Sequence, residues 1–184
     1  KKANELGIPI ILDPVGSGAT SLRTNTFKKL IKELMITVVR GNASEILSIS
    51  SRSMTKGVDA VHDVDHASKT ARDLAQELNC AVAITGPVDL ITDGIKVIRC
   101  HNGSPLLGRV TGTGCAATAT IAAFTAVTKN PVEAASAGLA FFGLAGEVAA
   151  QKAKSPGSFM IALLDALNDI TPDYLQNNAR LEEG

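Results

Sequence analysis

Aromatic residues are scarce in this chain of 184 residues, and neither positive nor negative charge is in excess. Phenylalanine, tyrosine and tryptophan together make up 3% of it, and 18 basic residues balance 18 acidic ones. Without a basic excess, nothing draws the protein towards nucleic acid or an anionic membrane surface. Apolar residues make up 45% of the sequence, which excludes a disordered chain and indicates an aliphatic globular protein.

Cysteine is also sparse. Cys80, Cys100 and Cys115 lie far apart, and no C-x-x-C pair occurs. An odd and scattered set argues against a disulfide framework and a structural zinc site, and favours a reducing compartment. No charged segment followed by an apolar run opens the sequence, so no secretory signal is visible. A cytoplasmic location is expected.

Length and hydrophobic pattern predict one domain over residues 1–184. The apolar stretch 132–150 contains Glu133, Ser136 and Glu147, so it is expected to be a buried helix rather than a bilayer span, which needs about twenty residues with few charges. Residues 1–6 are typical of the last turn of a helix stopped by Gly7, and a strand follows at once. A domain seldom starts in this way, so an N-terminal portion is expected to be missing.

Short β-rich runs alternate with helical segments in the first half of the chain. Strands are predicted over 8–12, 36–39 and 80–85, and helices over 24–34 and 65–78. This alternation predicts a mostly parallel central sheet with helices on its faces. Asp93-Gly94 then predicts an antiparallel hairpin, 88–92 with 95–99, at one edge. The rest is expected to be helical over 115–128, 131–153 and 158–170, followed by a polar tail that opens at Thr171-Pro172.

Four polar clusters are candidates for a functional site. Three follow predicted strands and the fourth starts a helix: Asp13-Pro14-Val15-Gly16-Ser17-Gly18, Arg40-Gly41-Asn42-Ala43-Ser44-Glu45, Thr85-Gly86 and Gly112-Thr113-Gly114-Cys115. Ligands of open α/β sheets gather at the carboxyl ends of parallel strands. Each cluster taken singly is also typical of an ordinary turn. Their convergence favours one site built from several loops.

The glycine loop Gly112-Thr113-Gly114 precedes an alanine-rich helix. Free N–H groups at the positive end of a helix form an anion site that glycines open to a phosphate. Residues 112–117 also fit G-x-G-x-x-A, the dinucleotide fingerprint. That motif requires a strand after the helix, and here another helix is predicted. A phosphate site is therefore retained, and a dinucleotide site is excluded.

Cys115 is predicted in the first turn of that helix, where the dipole favours a thiolate. It could accept a proton from a substrate alcohol, attack as a nucleophile, or be a small buried residue. A nucleophilic cysteine usually has a histidine base, and none of His62, His66 and His101 is suggested to be close. Cys80 and Cys100 fall in predicted strands and are interpreted as packing residues.

Asp13 and Glu45 are carboxylates at the ends of neighbouring predicted strands. Magnesium prefers such hard oxygen ligands and keeps several waters. Arg40 could lie beside phosphate groups as a fixed cation. Structural roles stay open for the same cluster: Asn42 as a helix N-cap, Glu45 as a partner of the helix dipole, and Arg40 in a surface ion pair.

These motifs resemble those of the hydroxyethylthiazole kinases, members of the ribokinase-like superfamily. The resemblance follows the chain in the same order and covers most of it: Asp13-Pro14-Val15-Gly16, Arg40-Gly41-Asn42-Ala43-Ser44-Glu45, Ile84-Thr85-Gly86, Asn102-Gly103-Ser104-Pro105-Leu106-Leu107, Val110-Thr111-Gly112-Thr113-Gly114-Cys115, Pro156-Gly157-Ser158-Phe159 and Leu164-Asp165-Ala166-Leu167. It implies a ribokinase-like three-layer α/β/α sandwich. The T-G-T-G-C loop is its specific part, because many relatives have aspartate in place of Cys115.

The resemblance implies a function and site roles. The expected reaction is direct in-line transfer of a phosphoryl group from ATP to the primary alcohol of 4-methyl-5-(2-hydroxyethyl)thiazole, in thiamine biosynthesis. Asp13 and Glu45 would hold Mg²⁺, with Asn42 in the N-x-x-E element. Arg40 and Thr85 would contact ATP, and Gly112 would contact the thiazole. The amides of Thr113, Gly114 and Cys115 would form an anion hole for the transferred phosphoryl group. Cys115 would also be the general base. A homotrimer with sites between subunits is also implied.

Two features depart from the family pattern. Roughly the first third of the family chain, which supplies part of the thiazole pocket, has no counterpart before Lys1. In addition, Pro87 stands where the family often has glutamate. Three alternatives stay open. They are a hydroxymethylpyrimidine or other small-alcohol kinase, a nicotinamide-nucleotide repair dehydratase of the same fold, and a truncated nucleotide-binding module without activity.

Overall fold

A computed structural model describes residues 1–50 and 64–184 of the chain. Within them, six strands form one sheet, and helices pack on both of its faces. The strands are β1 (Ile11–Leu12), β2 (Val38–Asn42), β3 (Ala81–Thr85), β4 (Asp89–Thr92), β5 (Val97–Cys100) and β6 (Leu181–Glu183). The helices are α1 (Lys2–Glu5), α2 (Ser21–Glu33), α3 (Ala43–Ile49), α4 (Val64–Leu78), α5 (Thr113–Phe124), α6 (Pro131–Lys152), α7 (Pro156–Asp169) and α8 (Pro172–Asn178).

The strands lie side by side in chain order, and the sheet is mixed. β1, β2 and β3 are parallel, as the alternation of strands and helices predicted. From β3 to β6 each neighbouring pair is antiparallel, so the antiparallel share is larger than expected. Asn42 lies opposite Thr85, which brings the carboxyl ends of β2 and β3 level with each other. The α/β class and the helices on both faces are confirmed.

The C-terminal tail forms more structure than the sequence indicated. Thr171 caps α8 by accepting a hydrogen bond from the Tyr174 N–H, and Pro172 occupies the first turn. β6 then pairs with β5, so the predicted hairpin of β4 and β5 is not itself the edge of the sheet. All three residues of β6 are exposed. Because they bury no apolar side chain, these residues carry no hydrophobic signal for a strand.

Local signals fix the ends of other elements. At the turn between β4 and β5, Gly94 has a φ of +95°, and the Asp93 carboxylate accepts bonds from the Ile95 and Lys96 N–H groups. Asn130 caps α6 by accepting from two first-turn N–H groups, and Pro131 follows it. α5 is followed by α6 without a strand between them, so the Rossmann pattern is absent here as predicted.

Two clusters of buried side chains lie on opposite faces of the sheet. Successive strand residues point to opposite faces: Val38 belongs to the cluster under α5, α6 and α7, and Val39 to the cluster under α3 and α4. Among the described residues, α6 is long and apolar enough to cross a membrane by length and composition, and 72% of its apolar window is buried. This burial agrees with the prediction of a core helix.

Candidate active site

Side chains from the ends of the three parallel strands meet at one point. Arg40, in β2, donates from Nη2 to the Thr85 hydroxyl at the end of β3 over 2.7 Å. Its Nη1 lies 3.4 Å from Oδ2 of Asp13, which follows β1. Both charged side chains are largely buried, with exposures of 12% and 13%. Three of the predicted site residues therefore form one hydrogen-bonded group.

The first turn of α5 lies beside this group. Gly112 is the N-cap residue, its φ is +94°, and no side chain caps the helix. The amides of Thr113, Gly114 and Cys115 thus point out of the helix without intrahelical partners. A Cβ on Gly114 would lie 2.9 Å from Arg40 Nη1, so glycine allows the guanidinium to approach the backbone. Free amides next to a cation form an arrangement suited to phosphate oxygens.

Asn42 and Glu45 form a capping box at the start of α3. The Asn42 side chain accepts from the Glu45 N–H, and Glu45 Oε2 accepts from the Asn42 N–H, each over 2.9 Å. Glu45 Oε1 accepts from the Gly16 N–H, which fixes the loop after Asp13 against α3. The structural role suggested for Asn42 is therefore present. It also holds the Glu45 carboxylate on the Asp13 side of the site.

The carboxylates of Asp13 and Glu45 fit a magnesium ion in donor chemistry. Oδ1 of Asp13 accepts no hydrogen bond from any residue that the structure describes, while Oδ2 accepts from Thr118 over 2.8 Å. Each Glu45 oxygen accepts one backbone N–H and keeps further lone pairs. Hard oxygen donors with free lone pairs are the ligands that Mg²⁺ takes, directly or through water.

Cys115 is exposed and forms no disulfide. Its thiol has no hydrogen-bond partner among the residues described. The buried packing role considered for it is therefore wrong, whereas Cys80 and Cys100 are buried in or beside strands, as interpreted. His101 pairs with Glu182 over 3.0 Å. His62 and the side chain of His66 lie outside the described residues.

A cavity of about 490 Å³ opens beside this group of residues. Of the predicted site residues, Arg40, Thr85, Thr113 and Gly114 line it, whereas Asp13, Asn42, Glu45, Gly112 and Cys115 do not. The rest of its wall comes from the loop after β3, the loop after β5, and helices α5 and α6: Gly86, Pro87, Asp89, Asn102, Gly103, Ser104, Pro105, Leu107, Gly108, Ala117, Leu139, Phe142 and Gly143. Arg40 thus links the cavity to the carboxylate of Asp13.

The polar residues of this site that were not predicted include Thr118 and Asp89. Thr118 donates to Asp13 and lies four residues after Gly114, so the one-turn spacing in α5 was an available signal. Asp89 lines the cavity, and its Oδ1 accepts from the Gly86 N–H over 3.0 Å. Burial raises the pKa of Asp89 to about 6, against the opposing effects of the Gly86 N–H and the charge of Arg40. A lone aspartate between Val88 and Leu90 was the only sequence signal for it.

An α/β sheet with an open helix start, a buried arginine and two carboxylates near its parallel strand ends fits the ribokinase-like class of kinases that the sequence motifs resemble. The comparisons with known proteins identify the family. The chain matches the hydroxyethylthiazole kinase family over residues 1–173. It belongs to that family.

Individual relatives agree with this assignment. The chain is 54% identical to a hydroxyethylthiazole kinase of Desulfotalea psychrophila over 184 residues, which is all of this chain and 67% of that protein. It is 48% identical to one of Desulfosudis oleivorans, over all of this chain and 68% of the relative. A solved hydroxyethylthiazole kinase structure from Pyrococcus horikoshii superposes with a TM-score of 0.89 at 40% identity, over 99% of this chain and 68% of that one. The chain spans about two thirds of the length of these relatives.

Proposed function

We propose that this protein transfers a phosphoryl group from ATP to the primary alcohol of 4-methyl-5-(2-hydroxyethyl)thiazole, in the synthesis or salvage of thiamine. The observation that carries the proposal is the hydrogen-bonded group of Asp13, Arg40 and Thr85 beside the uncapped first turn of α5. Membership of the hydroxyethylthiazole kinase family supports the choice of acceptor.

Phosphoryl transfer depends on positioning and on neutralising charge. Arg40 presents two guanidinium nitrogens, and Asp13 and Thr85 fix their direction. The amides of Thr113, Gly114 and Cys115 supply a second set of donors whose orientation is fixed by the helix. Thr113 strengthens this geometry, because its hydroxyl donates to the Leu107 and Val110 carbonyls over 2.8 and 3.0 Å. These donors would stabilise negative charge without reorganising during the reaction.

Asp13 and Glu45 are the residues that would hold Mg²⁺, with Asn42 keeping Glu45 in place. When bound, the ion would neutralise phosphate charge and orient the oxygens of ATP. Arg40 and Thr85 would contact the nucleotide inside the cavity, where Pro87 replaces a glutamate common in the family. Gly112 would lie against the thiazole, as the family resemblance implies, and no atom lies within 4 Å of its Cβ position.

Cys115 is proposed as the general base. In the reaction, the substrate oxygen forms a bond to the transferred phosphorus while the bond from that phosphorus to the leaving ADP oxygen breaks. The Cys115 thiolate takes up the hydroxyl proton and becomes a thiol. An exposed thiol with no competing partner among the described residues is available to an incoming alcohol. No phosphorylated enzyme forms in this direct transfer.

The test offers Mg-ATP with hydroxyethylthiazole, and in parallel with hydroxymethylpyrimidine, and measures each phosphorylated product by mass. Phosphorylated thiazole is the expected product. Removing the base as Cys115→Ala should lower kcat about 10²-fold, while the matched change Cys80→Ala leaves kcat unchanged. Product from the pyrimidine alone would overturn the acceptor. ATP binding without acceptor-dependent turnover would favour a binding module, and a phosphorylated Cys115 would exclude direct transfer.

We further propose a homotrimer with sites between subunits, and a cytoplasmic location. α7 supports association, since Met160, Ile161 and Leu164 on this helix are 50–66% exposed, and a subunit interface would cover them. Three unpaired cysteines support a reducing compartment. The mass of the protein in solution, measured by light scattering, tests the assembly: a monomer would contradict it.

A further inference from the structure

The loop 102–108 forms one wall of the cavity, and its later residues Leu106 and Leu107 pack on the buried core. Gly103 has a φ of +153°, and neither Gly103 nor Gly108 has an atom within 4 Å of a Cβ position. Asn102, which starts the loop, is 5% exposed. It packs directly on Gly143 of α6, where a Cβ would lie 2.5 Å from the Asn102 carbonyl oxygen. Asn102 and the later residues Leu106 and Leu107 are therefore held by packing, whereas Gly103 has no such support and depends on polar bonds.

Polar bonds to the start of the loop come from the C-terminal residues 178–184, here called the strap. The Arg180 N–H donates to Asn102 Oδ1 over 2.7 Å, and Asn102 Nδ2 donates to the Asn178 carbonyl over 3.2 Å. Arg180 Nη2 also donates to the His101 carbonyl over 2.7 Å. The strap thus satisfies the buried amide of Asn102 with two bonds and holds the preceding residue with a third.

Glu147 of α6 completes the attachment. Its Oε1 accepts from the Gly103 N–H over 2.7 Å and from Arg180 Nη2 over 2.6 Å, and its Oε2 accepts from Arg180 Nη1 over 3.2 Å. A two-point guanidinium–carboxylate pair is directional as well as attractive. Arg180 therefore orients the carboxylate that fixes Gly103 in the wall of the cavity.

Apart from Ala179, which packs on the buried core, the strap contributes little to it. Residues 180–184 are all exposed, and β6 pairs only with the outer side of β5. An edge strand with no buried side chain adds few apolar contacts to folding. Its bonds at Asn178 and Arg180 instead reach Asn102, His101 and Glu147, which line the cavity or contact residues that do.

We propose that the strap, through Arg180, positions the loop 102–108 for nucleotide binding. The inference rests on the proposed function, which makes this cavity the ATP site. Arg180 does not line the cavity itself: its backbone N–H holds Asn102, and its side chain acts on Gly103 through Glu147. Its loss should loosen the wall that receives the nucleotide and leave the strand-end group of Asp13, Arg40 and Thr85 intact.

The chain offers a matched control for Arg180. Lys96 pairs with Glu183 over 3.0 Å, which also joins the strap to the hairpin of β4 and β5. Neither residue touches Asn102, Gly103 or Glu147. Glu183→Gln thus weakens the attachment of the strap without altering the loop, and its effect measures the contribution of the edge strand alone.

The experiment compares the unaltered protein with Arg180→Ala, Arg180→Lys and Glu183→Gln. Calorimetry gives the Kd for Mg-ATP, and turnover gives kcat and separate KM values for ATP and the thiazole. Arg180→Ala should raise Kd and KM for ATP about tenfold, since it removes a charge-assisted pair and leaves polar groups unpaired. The value of kcat and the thiazole KM stay within about twofold. The Kd and KM for ATP of Arg180→Lys should lie between those of the unaltered protein and those of Arg180→Ala, because an ammonium cannot make the two-point pair.

Three outcomes would overturn the inference: an unchanged Kd in folded Arg180→Ala, an equal effect from Glu183→Gln, or a loss confined to kcat. If Arg180→Ala does not fold, Glu147→Gln keeps an acceptor for Gly103 and removes the ionic pair. This variant should raise the KM for ATP by about threefold, and no rise would reject the proposal. A wild-type protein that binds no Mg-ATP defeats the proposed function itself, whereas wild-type binding with no Arg180 effect defeats only this inference.

Discussion

The two faces of the sheet are packed by different means. On the face that carries the cavity, glycines of α6 allow close approach to α5 and to the loop 102–108. A Cβ on Gly138 would lie 3.0 Å from Ile121 Cα, and a Cβ on Gly143 would lie 2.5 Å from the Asn102 carbonyl oxygen. On the opposite face, α3 and α4 pack through larger buried side chains such as Ile46 and Leu74. Close backbone approach thus contributes to the first layer, beside large buried side chains such as Phe159, whereas side-chain volume fills the second.

This difference predicts that the two faces of the sheet respond to opposite kinds of substitution. A layer held by close backbone approach cannot accept added atoms, whereas a layer filled by large side chains suffers most when atoms are deleted. The cavity lies in the first layer, between α5, α6 and the parallel strands. Function should therefore respond to small additions on that face and remain insensitive to moderate deletions on the other.

The largest expected effect concerns Arg40, which points to the cavity face because it lies two residues after Val38 in β2. Arg40→Ala should lower kcat/KM about 10²–10³-fold, because a preorganised cation and its two nitrogens are lost from the site. Arg40→Lys keeps the charge but not the paired contacts to Asp13 and Thr85, and should recover part of the loss. Steady-state kinetics on folded variants measures kcat/KM for both substitutions. A kcat/KM of Arg40→Ala within about threefold of wild type would show that Arg40 is not part of the active site.

The next prediction tests the opposite face. Leu74 of α4 is 2% exposed, so Leu74→Ala should lower the free energy of unfolding by about 3 kcal/mol through lost burial and the remaining cavity. Leu22→Ala, at an exposed position of α2, is the matched control and should cost less than about 0.5 kcal/mol. Urea unfolding measures the stability. If Leu74→Ala also changes the KM for ATP in folded protein, the two faces are coupled and the comparison fails.

An added methyl group tests the cavity face. Gly143→Ala should cost about 2 kcal/mol, because its Cβ would clash with the Asn102 backbone rather than with a movable side chain. It should also raise the KM for ATP, since Asn102 and Gly143 both line the cavity. The same change at Gly157, which has open space around its Cβ position, should be neutral or stabilise by about 0.5 kcal/mol. Equal unfolding curves for the two variants would show that the close approach is relaxed in solution.

Much of this arrangement could be predicted from local patterns. Asp13, Arg40 and Thr85 were predicted because parallel strands bring their carboxyl ends together, and the structure joins these three by hydrogen bonds. Gly112 and Gly114 were predicted because glycines before a helix start leave its amides open. The helix N-cap at Asn42 agrees with the N-x-x-E spacing.

The missed parts depend on contacts between residues that are distant in sequence. β6 was missed because its three residues are exposed and pair with a strand about eighty positions earlier. Asp89 and Asn102 were missed as cavity residues for a related reason. Single polar residues next to strands look like ordinary turn residues until α5 and α6 close over them. Helical periodicity alone could not show that α6 would bring Gly143 against Asn102.

The smallest expected effect concerns Asp89 on the cavity face. Burial raises the pKa of this carboxyl to about 6, so the folded protein binds its proton more tightly than the unfolded chain does. Stability should therefore fall as pH rises from about 4 to 6 and stay at the lower level above that range. Asp89→Asn removes the penalty and keeps an oxygen for the Gly86 N–H. The variant should be more stable than wild type by roughly 1–2 kcal/mol at pH 8 and equal to it near pH 4.

Urea unfolding at pH 4, 6 and 8 measures this difference, with Asp93→Asn as a control in the exposed turn. Asp93 accepts bonds from two backbone N–H groups, which together with Lys96 outweigh its slight burial and lower its pKa, so its replacement should cost stability at pH 8 instead. Opposite signs for two aspartates in one hairpin would separate burial from hydrogen bonding as the dominant cause. A loss of stability at pH 8 in Asp89→Asn would mean that the attraction between Arg40 and the ionised carboxylate exceeds the cost of burying it. The Asp89 carboxylate would then be ionised beside Arg40, and its negative charge would repel the phosphates of a bound nucleotide.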